Sequence, residues 1–537
     1  MNRKSLILVL FLVSDIFFAV AQETGLPSDY PGSQFHSERR EALRKLMPPH
    51  SVAVIFAYPT RNFSNDVDYP YHQNPELYYF SGYNEPHSLL FIFKDQQQSK
   101  DGKPYNELFF VQKRDPRQEQ WTGKRLGVEG VKKLGFEMVF ENSEFEKYDL
   151  DLKKFDNVLY DELPADVKDD ANDGADLYDL VRLFKIKAEI KEGYNAGLYN
   201  LYDVIRNYDK RAHDRVVDYV NKARANNKSY QDDPLITAYM NAKDSLSVGN
   251  AVAALSAMPA PYSEYNKIMG TLREIKTPEE IALLRKAVGI SAIAHREVMK
   301  AIQPGMSERE IQGIQEFVHR KYGAEWEGYP PIVGAGGNGC ILHYEENNLT
   351  RVGNQLVLMD VGAEYHGYSA DVTRTIPSNG KFTPAQKAIY DIVYEAQEAT
   401  FKICREDTSM EALQNKSFEI VAKGLLKLGI ISKAEDAATY YPHGVSHHLG
   451  LDVHDKSNYG ALKAGMVITV EPGIYIPEGS NCDKKWWNIG VRIEDDVLIT
   501  HGNCEVLSAK APRKSTDVEL AETGKSAFNG MVLPALK

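Results

Sequence analysis

Four acidic residues and one histidine lie at or near the ends of short apolar runs in the last third of the chain. They are Asp360 in LVLMDVG, Asp371 in SADVTRT, His447 in HGVSHHLG, Glu471 in VITVEPG and Glu494 in GVRIEDD. Carboxylates that converge on one site repel one another unless cations lie between them. Two divalent cations would balance the four negative charges, and the chemistry predicted is that of a two-metal hydrolase.

The pair Asp360 and Asp371 also has an interpretation without a functional site. Asp360 and Asp371 are separated by Tyr365-His366-Gly367, and a turn there would let two antiparallel strands bring the two acids together. Taken alone, the pair is equally well explained as two exposed loop aspartates. The whole set of five residues favours a site.

Arg492 and Glu494 are two residues apart, so they lie on one face of a predicted strand. The guanidinium can therefore brace a carboxylate of the site. A surface ion pair is the alternative, which the apolar neighbours disfavour. Glu471, at the end of its own apolar run, needs a partner or a metal if that end is buried.

Histidines are concentrated between His443 and His454, with His447 and His448 in the same segment. This density predicts metal binding together with proton transfer. His448 is adjacent to His447, points elsewhere and is interpreted as structural. His343, in ILHYEENN, is a further candidate to contact the reacting group.

The donor set of four oxygens and one nitrogen favours hard divalent ions, Mn²⁺ first, with Co²⁺, Zn²⁺ or Fe²⁺ tolerated. The HExxH, GxSxG and Walker motifs are absent from the sequence. A net charge of −12 without a basic stripe disfavours nucleic acid as a partner.

The N-terminus has the pattern of an export signal. Asn2-Arg3-Lys4 is basic, Leu6–Ala21 is mostly apolar, and the run closes on Ala19-Val20-Ala21. This predicts a signal peptide over residues 1–21 and export to a periplasm or out of the cell. An uncleaved anchor is the alternative. No later segment is apolar enough to span a bilayer, so no stable membrane span is expected after cleavage.

Four cysteines in a chain of 537 residues do not form a disulfide framework. Cys482 and Cys504 flank the Glu494 strand and are a candidate pair in an oxidising compartment. Two free thiols are the alternative, because nothing in the sequence places these cysteines within bridging distance.

The length exceeds the usual limit of a single domain, so two or more domains are expected. Residues 22–262 are predicted to form the first, with a helical insertion at about 161–257 and a linker at Ala257–Pro261. The second is predicted over 268–512, with a tail at 513–537. The acidic segment Asp161–Asp179 is predicted to be a solvated loop.

Short apolar runs in the first domain predict strands, and periodic segments predict helices. The predicted strands are Ser51–Phe56, Leu89–Phe93 and Leu108–Val111, and the predicted helices are Gly127–Leu134 and Tyr178–Lys191. In the second domain, Thr277-Pro278-Glu279-Glu280 and Ser307-Glu308-Arg309-Glu310 predict helix starts with capping boxes.

Together these motifs resemble the pita-bread metallopeptidase family, which includes methionine aminopeptidase, prolidase and aminopeptidase P. The segments GNGCILHYEENN, LVLMDVGAEYHGYSADVTRT, HGVSHHLGLDVHD, VEPGIYIP and GVRIEDD are similar to the aminopeptidase P pattern, as is DYPYHQNPELYYFSGYNEPHSLL in the first domain. The resemblance implies an α/β (α+β) protein, with a creatinase-like N-terminal α/β domain before a pita-bread catalytic domain.

The resemblance also implies roles for the metal ligands. Asp360 would bind one ion, Asp371 and Glu494 would bridge two, and His447 with Glu471 would complete the other. A hydroxide between the ions would attack the scissile carbonyl, with Glu471 handling its proton.

Further roles follow from the same resemblance. His343, His443 and His454 would contact the carbonyl, the leaving proline or the tetrahedral intermediate, and Tyr475 and Arg492 would line the proline pocket. QWTGKRLG resembles a segment whose tryptophan, here Trp121, reaches into a neighbouring subunit's site. A homodimer or homotetramer is therefore implied.

The function expected from the resemblance is that of an exported Xaa-Pro aminopeptidase, which removes the first residue from peptides with proline at the second position. A prolidase acting on Xaa-Pro dipeptides is the alternative within the family. From another class, a non-catalytic pita-bread protein would bind a peptide or a partner, but such proteins have typically lost ligands.

Overall fold

The computed structural model describes residues 28–164, 167–170, 173–190, 196–207, 213–256 and 261–530. The predicted signal peptide and all but the last residue of the predicted linker lie outside this part of the chain. None of the helices in the described part combines the length and apolar character that a membrane-crossing helix requires.

The first domain is built on a five-stranded mixed sheet in the order β6-β5-β4-β1-β7. All three predicted strands are present, and two of them extend beyond the apolar run. The strands of this domain, including the separate hairpin β2–β3, are β1 Ser51–Phe56, β2 Asn62–Ser64, β3 Val67–Asp68, β4 Leu89–Gln98, β5 Pro104–Val111, β6 Val139–Glu141 and β7 Asn157–Tyr160.

Strand β1 is buried throughout because both faces of the sheet are covered. Ala53 and Ile55 point into one core, which contains Leu43 and Leu77. The alternate residues of β1 point into a second core that contains Phe184. The helices of this domain are α1 Ser33–Leu46, α2 Pro75–Ser81, α3 Pro116–Thr122, α4 Gly127–Lys132 and α5 Leu177–Lys187.

Two of these helices are shorter than predicted. Helix α5 ends at Lys187 instead of Lys191, because Glu189 adopts a left-handed φ of 51°, which interrupts a right-handed helix. Helix α4 ends two residues early, and Gly135 closes the following turn at φ 94°.

The insertion is helical, as predicted, and has a small core of its own. Its helices are α6 Ala196–Asn207, α7 His213–Asn226, α8 Lys228–Gln231, α9 Pro234–Asn241 and α10 Ser245–Ser256. Leu201, Val220, Ile236 and Leu255 are buried in this core. Helix α11, Pro261–Glu274, follows and runs through residues 262–268, where the boundary between the domains is predicted.

The second domain consists of small antiparallel sheets packed against long helices. The two predicted helix starts are confirmed, because Thr277 and Ser307 both form capping boxes. The helices are α12 Pro278–Ala301, α13 Glu308–Lys321, α14 Pro384–Phe401, α15 Met410–Lys427 and α16 Ser515–Ala521. Helix α16 lies in the predicted tail, and its Val518 is buried in the core of the domain.

The strands of this domain form sheets in the orders β13-β10-β9, β12-β11-β8, β14-β17-β18 and β15-β16. Their bounds are β8 Trp326–Glu327, β9 Ile332–Ala335, β10 Leu356–Val361, β11 Ala363–Tyr365, β12 Tyr368–Ser369, β13 Val372–Pro377, β14 Val467–Val470, β15 Gly473–Ile476, β16 Ile489–Arg492, β17 Asp495–Ile499 and β18 Cys504–Val506.

Strands β10 and β13 are antiparallel, with Asp360 opposite Thr373, so the two acids of this pair are brought together as predicted. The predicted turn closes a different hairpin. His366 and Gly367, both at positive φ, connect β11 to β12, where Tyr365 pairs with Tyr368. This small hairpin lies between β10 and β13 along the chain.

A buried cluster of charges joins the two domains. Glu76 on α2 lies 3.5 Å from Arg273 on α11 and 2.6 Å from the Nζ of Lys456. Arg273 also contacts Asp455, whose other oxygen accepts a hydrogen bond from Lys276 at 2.9 Å. Buried charges persist only when they are paired, so the cluster fixes the segment that carries the site histidines against the first domain.

The acidic segment is therefore not solvated throughout. Asp161 lies 2.5 Å from the Nζ of Lys456 and belongs to this interdomain cluster. Asp176 is buried and caps helix α5 by accepting from the backbone N–H of Asp179.

Candidate metal centre

Several small sheets deliver the predicted ligands to a single cavity of about 460 Å³. Asp360 lies on β10, Asp371 precedes β13, Glu471 follows β14, and Glu494 lies between β16 and β17. His447 lies beside β14, since its carbonyl accepts from the backbone N–H of Thr469. All five predicted ligands line the cavity.

Three of them already form a compact donor group. Asp371, His447 and Glu494 each offer one ligand atom, and these atoms lie within 4.8 Å of one another. The Nε2 of His447 is 3.4 Å from Asp371 Oδ2 and 3.5 Å from Glu471 Oε1. Its Nδ1 donates to the carbonyl of His448 at 3.0 Å. Nε2 is therefore the nitrogen that faces the acids. Burial opposes protonation of the ring, but Asp371 and Glu471 raise the pKa of His447 to about 9, so a metal ion would replace the proton on Nε2.

The carboxylates are held at high electrostatic cost. Burial, together with the neighbouring Asp360, raises the pKa of Asp371. Burial raises the pKa of Glu471 to about 7, and burial with the charge of Asp371 raises the pKa of Glu494 well above its ordinary value. A divalent cation would lower these pKa values, because its charge favours the ionised form of every carboxylate around it.

The donor set fits divalent metal ions. Hard carboxylate oxygens and one neutral imidazole nitrogen are ligands that Mn²⁺, Zn²⁺ and Co²⁺ accept. The imidazole directs its Nε2 toward Asp371 and Glu471. The residues of the site therefore suit metal binding in both chemistry and placement.

Asp360 differs from the other acids. Burial opposes its ionisation, yet the Arg492 guanidinium beside it holds the pKa of this carboxyl below its ordinary value. The Nη2 of Arg492 lies 2.5 Å from Asp360 Oδ2, whereas its Nε is 4.0 Å from Glu494. The arginine braces a site carboxylate as predicted, and that carboxylate comes from another strand.

Sequence reasoning missed three residues that hold the ligands. Tyr329 directs its hydroxyl to Asp360 Oδ1 at 2.5 Å and to Asp371 Oδ1 at 2.6 Å. Thr373, opposite Asp360 in the sheet, donates to Glu494. Asp496 accepts the backbone N–H of Asp371 at 3.0 Å. Only Asp496 carried a sequence signal, namely its place in the IEDD run.

A chain of polar contacts runs from Arg492 to His443. The Nη1 of Arg492 donates to the hydroxyl of Tyr475 at 2.8 Å, and this hydroxyl lies 2.8 Å from His443 Nε2. Because His443 Nδ1 donates to the Gly444 carbonyl, Nε2 is the acceptor. Burial lowers the pKa of His443 to about 4, so the imidazole is neutral near pH 7.

The remaining predicted residues lie in different places. His343 and His454 line the cavity and are exposed at its mouth. His448 is buried, and its backbone forms an isolated antiparallel β-bridge with Ile468. Tyr475 is 4% exposed and lies behind His443, outside the lining of the cavity. Trp121, on α3, is 89% exposed and does not reach the cavity of its own chain.

Two family profiles match the chain. "Aminopeptidase P, N-terminal domain" covers residues 36–160 and "Metallopeptidase family M24" covers residues 282–501. Residues 161–281, which include the helical insertion, match neither profile. The Xaa-Pro aminopeptidase of Escherichia coli (strain K12) is 34% identical over 500 residues, covering 90% of this chain and 97% of the relative. This chain belongs to the aminopeptidase P branch of metallopeptidase family M24.

Other relatives agree with this membership. Xaa-Pro aminopeptidase 3 of Homo sapiens is 30% identical over 482 residues, covering 87% of this chain and 80% of the relative. The structure of aminopeptidase P from E. coli with the inhibitor Pro-Leu matches with a TM-score of 0.69 and 32% identity, over 92% of this chain and 98% of the other. A zinc-substituted form of the E. coli enzyme in complex with product matches with a TM-score of 0.68.

The resemblance and the fold class predicted from the motifs are thus confirmed, with an α/β N-terminal domain before a pita-bread catalytic domain. As a member of this family the protein is a metallopeptidase of the Xaa-Pro aminopeptidase type.

Proposed function

We propose that the protein is an exported aminopeptidase that uses two divalent metal ions to hydrolyse the bond between the first residue of a peptide and a following proline. One observation carries the proposal: all five predicted ligands line the same cavity, in a chain that aligns with 97% of the E. coli Xaa-Pro aminopeptidase.

The ions would be held by Asp360, Asp371, His447, Glu471 and Glu494. We favour Mn²⁺ because four of the five donors are hard oxygens. Bound divalent ions supply a nucleophile at neutral pH, by lowering the pKa of water, and they polarise the carbonyl that is attacked.

Glu471 is the residue best suited to carry a proton. It lines the cavity with the other ligands, and its Oε1 lies 3.5 Å from the nearest imidazole nitrogen. A carboxylate within reach of the attacking water can act as a general base. Glu471 can therefore take a proton from the attacking water and pass it to the leaving proline nitrogen.

Three histidines of the cavity bind and orient the substrate. Residues His343 and His454 face the cavity from its mouth, where each can donate a hydrogen bond to the scissile carbonyl. Such donors stabilise the charge that develops on that oxygen. His443 is locked by Tyr475 and Gly444, so it keeps one orientation at the wall of the cavity.

The shape of the cavity is compatible with a proline ring. Apolar side chains of Ile332, Leu342 and Val453 line it beside the ligand carboxylates. A pyrrolidine ring buries its methylene groups against such a surface, while the polar groups remain near the peptide bond.

The deciding experiment compares an Xaa-Pro-Xaa tripeptide with an Xaa-Pro dipeptide, using metal-stripped protein reconstituted with Mn²⁺. We expect tripeptide cleavage in the wild type and its loss in Asp371→Ala. Glu419→Ala, which removes an exposed acid paired with Lys416 on α15, should retain activity. Cleavage of the dipeptide alone would make the protein a prolidase. Absence of cleavage with any added metal would favour a binding protein.

Export and assembly belong to the same proposal. The basic and apolar N-terminus supports cleavage after Ala21, which N-terminal sequencing of the exported protein would test. The exposure of Trp121 supports its contact with another subunit. A monomer mass by light scattering, unchanged in Trp121→Ala, would reject the homodimer or homotetramer.

A further inference from the structure

Two thiols meet at the back of the catalytic domain. Cys404 follows the C-terminal end of helix α14, and Cys504 is the first residue of the edge strand β18. Both belong to one apolar cluster, which also contains Val497 and Ile499 of the neighbouring strand β17. All four cysteines are free thiols in this structure, and the predicted pair of Cys482 with Cys504 is not formed.

The two cysteines converge on a single carbonyl oxygen. The backbone N–H of Cys404 donates to the carbonyl of Phe401 at 3.2 Å. The Sγ of Cys504 lies 3.7 Å from the same oxygen. The two thiols also interact electrostatically with each other. Cys482 contacts other residues, with its thiol beside Tyr440 and Trp487.

The environments of the two thiols are unequal. Cys404 is 1% exposed, whereas Cys504 is only partly buried. The interaction between the two thiols lowers the pKa of Cys504 and raises the pKa of Cys404. Cys504 is therefore both the more accessible thiol and the one that ionises first. An accessible thiolate beside a second thiol is the arrangement that thiol–disulfide exchange requires.

We propose that Cys404 and Cys504 form a reversible disulfide when the protein meets a small-molecule disulfide. The Cys504 thiolate attacks one sulfur of the disulfide donor, for example oxidised glutathione, and expels one glutathione thiolate. Cys404 then gives its proton to the expelled glutathione thiolate and attacks the Cys504 sulfur, so the Cys404–Cys504 bond forms and the second glutathione leaves as a thiolate. Two protein thiols are oxidised, and one donor disulfide is reduced to two thiols.

The bond would connect two elements behind the metal centre. Helix α14 carries Gln397, whose amide donates to the carbonyls of Val470 and Ile493, the residues just before Glu471 and Glu494. Strand β18 pairs with β17, which begins directly after Glu494. A disulfide between them closes a loop of about 100 residues, and a crosslink of this span restricts the unfolded chain. We therefore expect greater resistance to unfolding, with little change in the geometry of the cavity.

The test treats the full-length chain with oxidised glutathione and then counts free thiols by alkylation and mass spectrometry. We expect the four thiols to fall to two, with one crosslinked peptide pair containing Cys404 and Cys504, and full recovery with dithiothreitol. The unfolding temperature of the oxidised protein should exceed that of the reduced protein by several degrees. Four free thiols after oxidation, a crosslink through Cys482, or glutathione retained on Cys504 would each overturn the proposal.

Single variants provide the controls. Cys404→Ser and Cys504→Ser should abolish both the crosslink and the rise in unfolding temperature, whereas Cys482→Ser should retain both. The thiol count on the unmodified chain decides the proposal even if a serine variant fails to fold. A rise in unfolding temperature on oxidation in Cys504→Ser would also count against it.

Discussion

Replacing Tyr329 by phenylalanine removes one hydroxyl group that contacts two carboxylates of the metal centre, Asp360 at 2.5 Å and Asp371 at 2.6 Å. The ring and its packing remain, so the change isolates the polar contact. We expect weaker metal binding, because this hydroxyl orients two ligand carboxylates at once.

The expected loss of Mn²⁺ affinity follows from the single hydrogen bond that the hydroxyl can donate at one time. A hydrogen bond to a charged group contributes about 1.5–3 kcal/mol, which corresponds to roughly a 10- to 150-fold change in an equilibrium constant. Loss of a group that orients a metal ligand typically reduces affinity by about 10- to 100-fold. We therefore expect Mn²⁺ affinity to fall by about 10- to 100-fold in Tyr329→Phe.

The assay is competition for Mn²⁺ between the protein and a fluorescent chelator, with tripeptide hydrolysis measured across a range of free Mn²⁺. Tyr390→Phe is the matched control, since its buried hydroxyl donates to the carbonyl of Arg513, away from the cavity. Unchanged Mn²⁺ affinity in Tyr329→Phe would refute the reasoning. An equal loss in both variants would show a general effect of removing a buried hydroxyl.

Three further predictions concern other parts of the molecule. Tyr475→Phe breaks the contact between Arg492 and His443 and should lower kcat/KM by about 10-fold, with metal content unchanged, because both hydrogen bonds of the buried hydroxyl are lost. Arg273→Met leaves the buried Glu76 and Asp455 short of a cation and should lower the free energy of unfolding by about 3–5 kcal/mol in urea. His36 is buried with its pKa lowered to about 4, against 6.5 when unfolded, so the folded state binds fewer protons. The contribution of His36 to the free energy of unfolding is complete above pH 6.5 and declines toward pH 4, by about 2 kcal/mol at pH 5. His36→Asn should therefore reduce the dependence of the free energy of unfolding on pH, measured by urea titration.

Each of these has a result that would contradict it. Tyr475→Phe with normal kcat/KM would mean that His443 needs no fixed orientation. An Arg273→Met protein as stable as the wild type would mean that the cluster is not a net source of stability. Equal pH slopes for wild type and His36→Asn between pH 7 and 5 would assign the acid sensitivity to other groups.

The predicted ligands could be read from the sequence because each acid interrupts an apolar run, a pattern that local burial explains. Tyr329 gave no such signal, since its position beside Asp360 depends on how β9 and β10 pair. The partner of Arg492 was hidden for a similar reason. Asp360 lies 132 positions away, while the neighbouring Glu494 is the more obvious choice.

The partners of the cysteines and of the acidic segment likewise could not be predicted, because they come from distant parts of the sequence. Cys504 was paired with Cys482 because both flank one strand, whereas the fold brings Cys404 to it from the end of a distant helix. Asp161 looked solvated among other acids, and only the packing of the two domains supplies Lys456 as its partner. Helix starts at Thr277 and Ser307 were predictable because capping boxes are local.

The charge cluster between the domains has a consequence for modularity. Asp455 and Lys456 come from the catalytic part of the chain, and Glu76 and Asp161 come from the part before it. A catalytic domain expressed from Thr277 onward would lack Arg273 and Lys276, the two cations that pair with Asp455. Asp455, which is adjacent to His454 in the sequence, would then be left without a charged partner. The catalytic domain therefore depends on the N-terminal domain for the partners of its buried charges. A chimera with a domain from a relative should fold only if the charged residues on both sides of this interface are exchanged together.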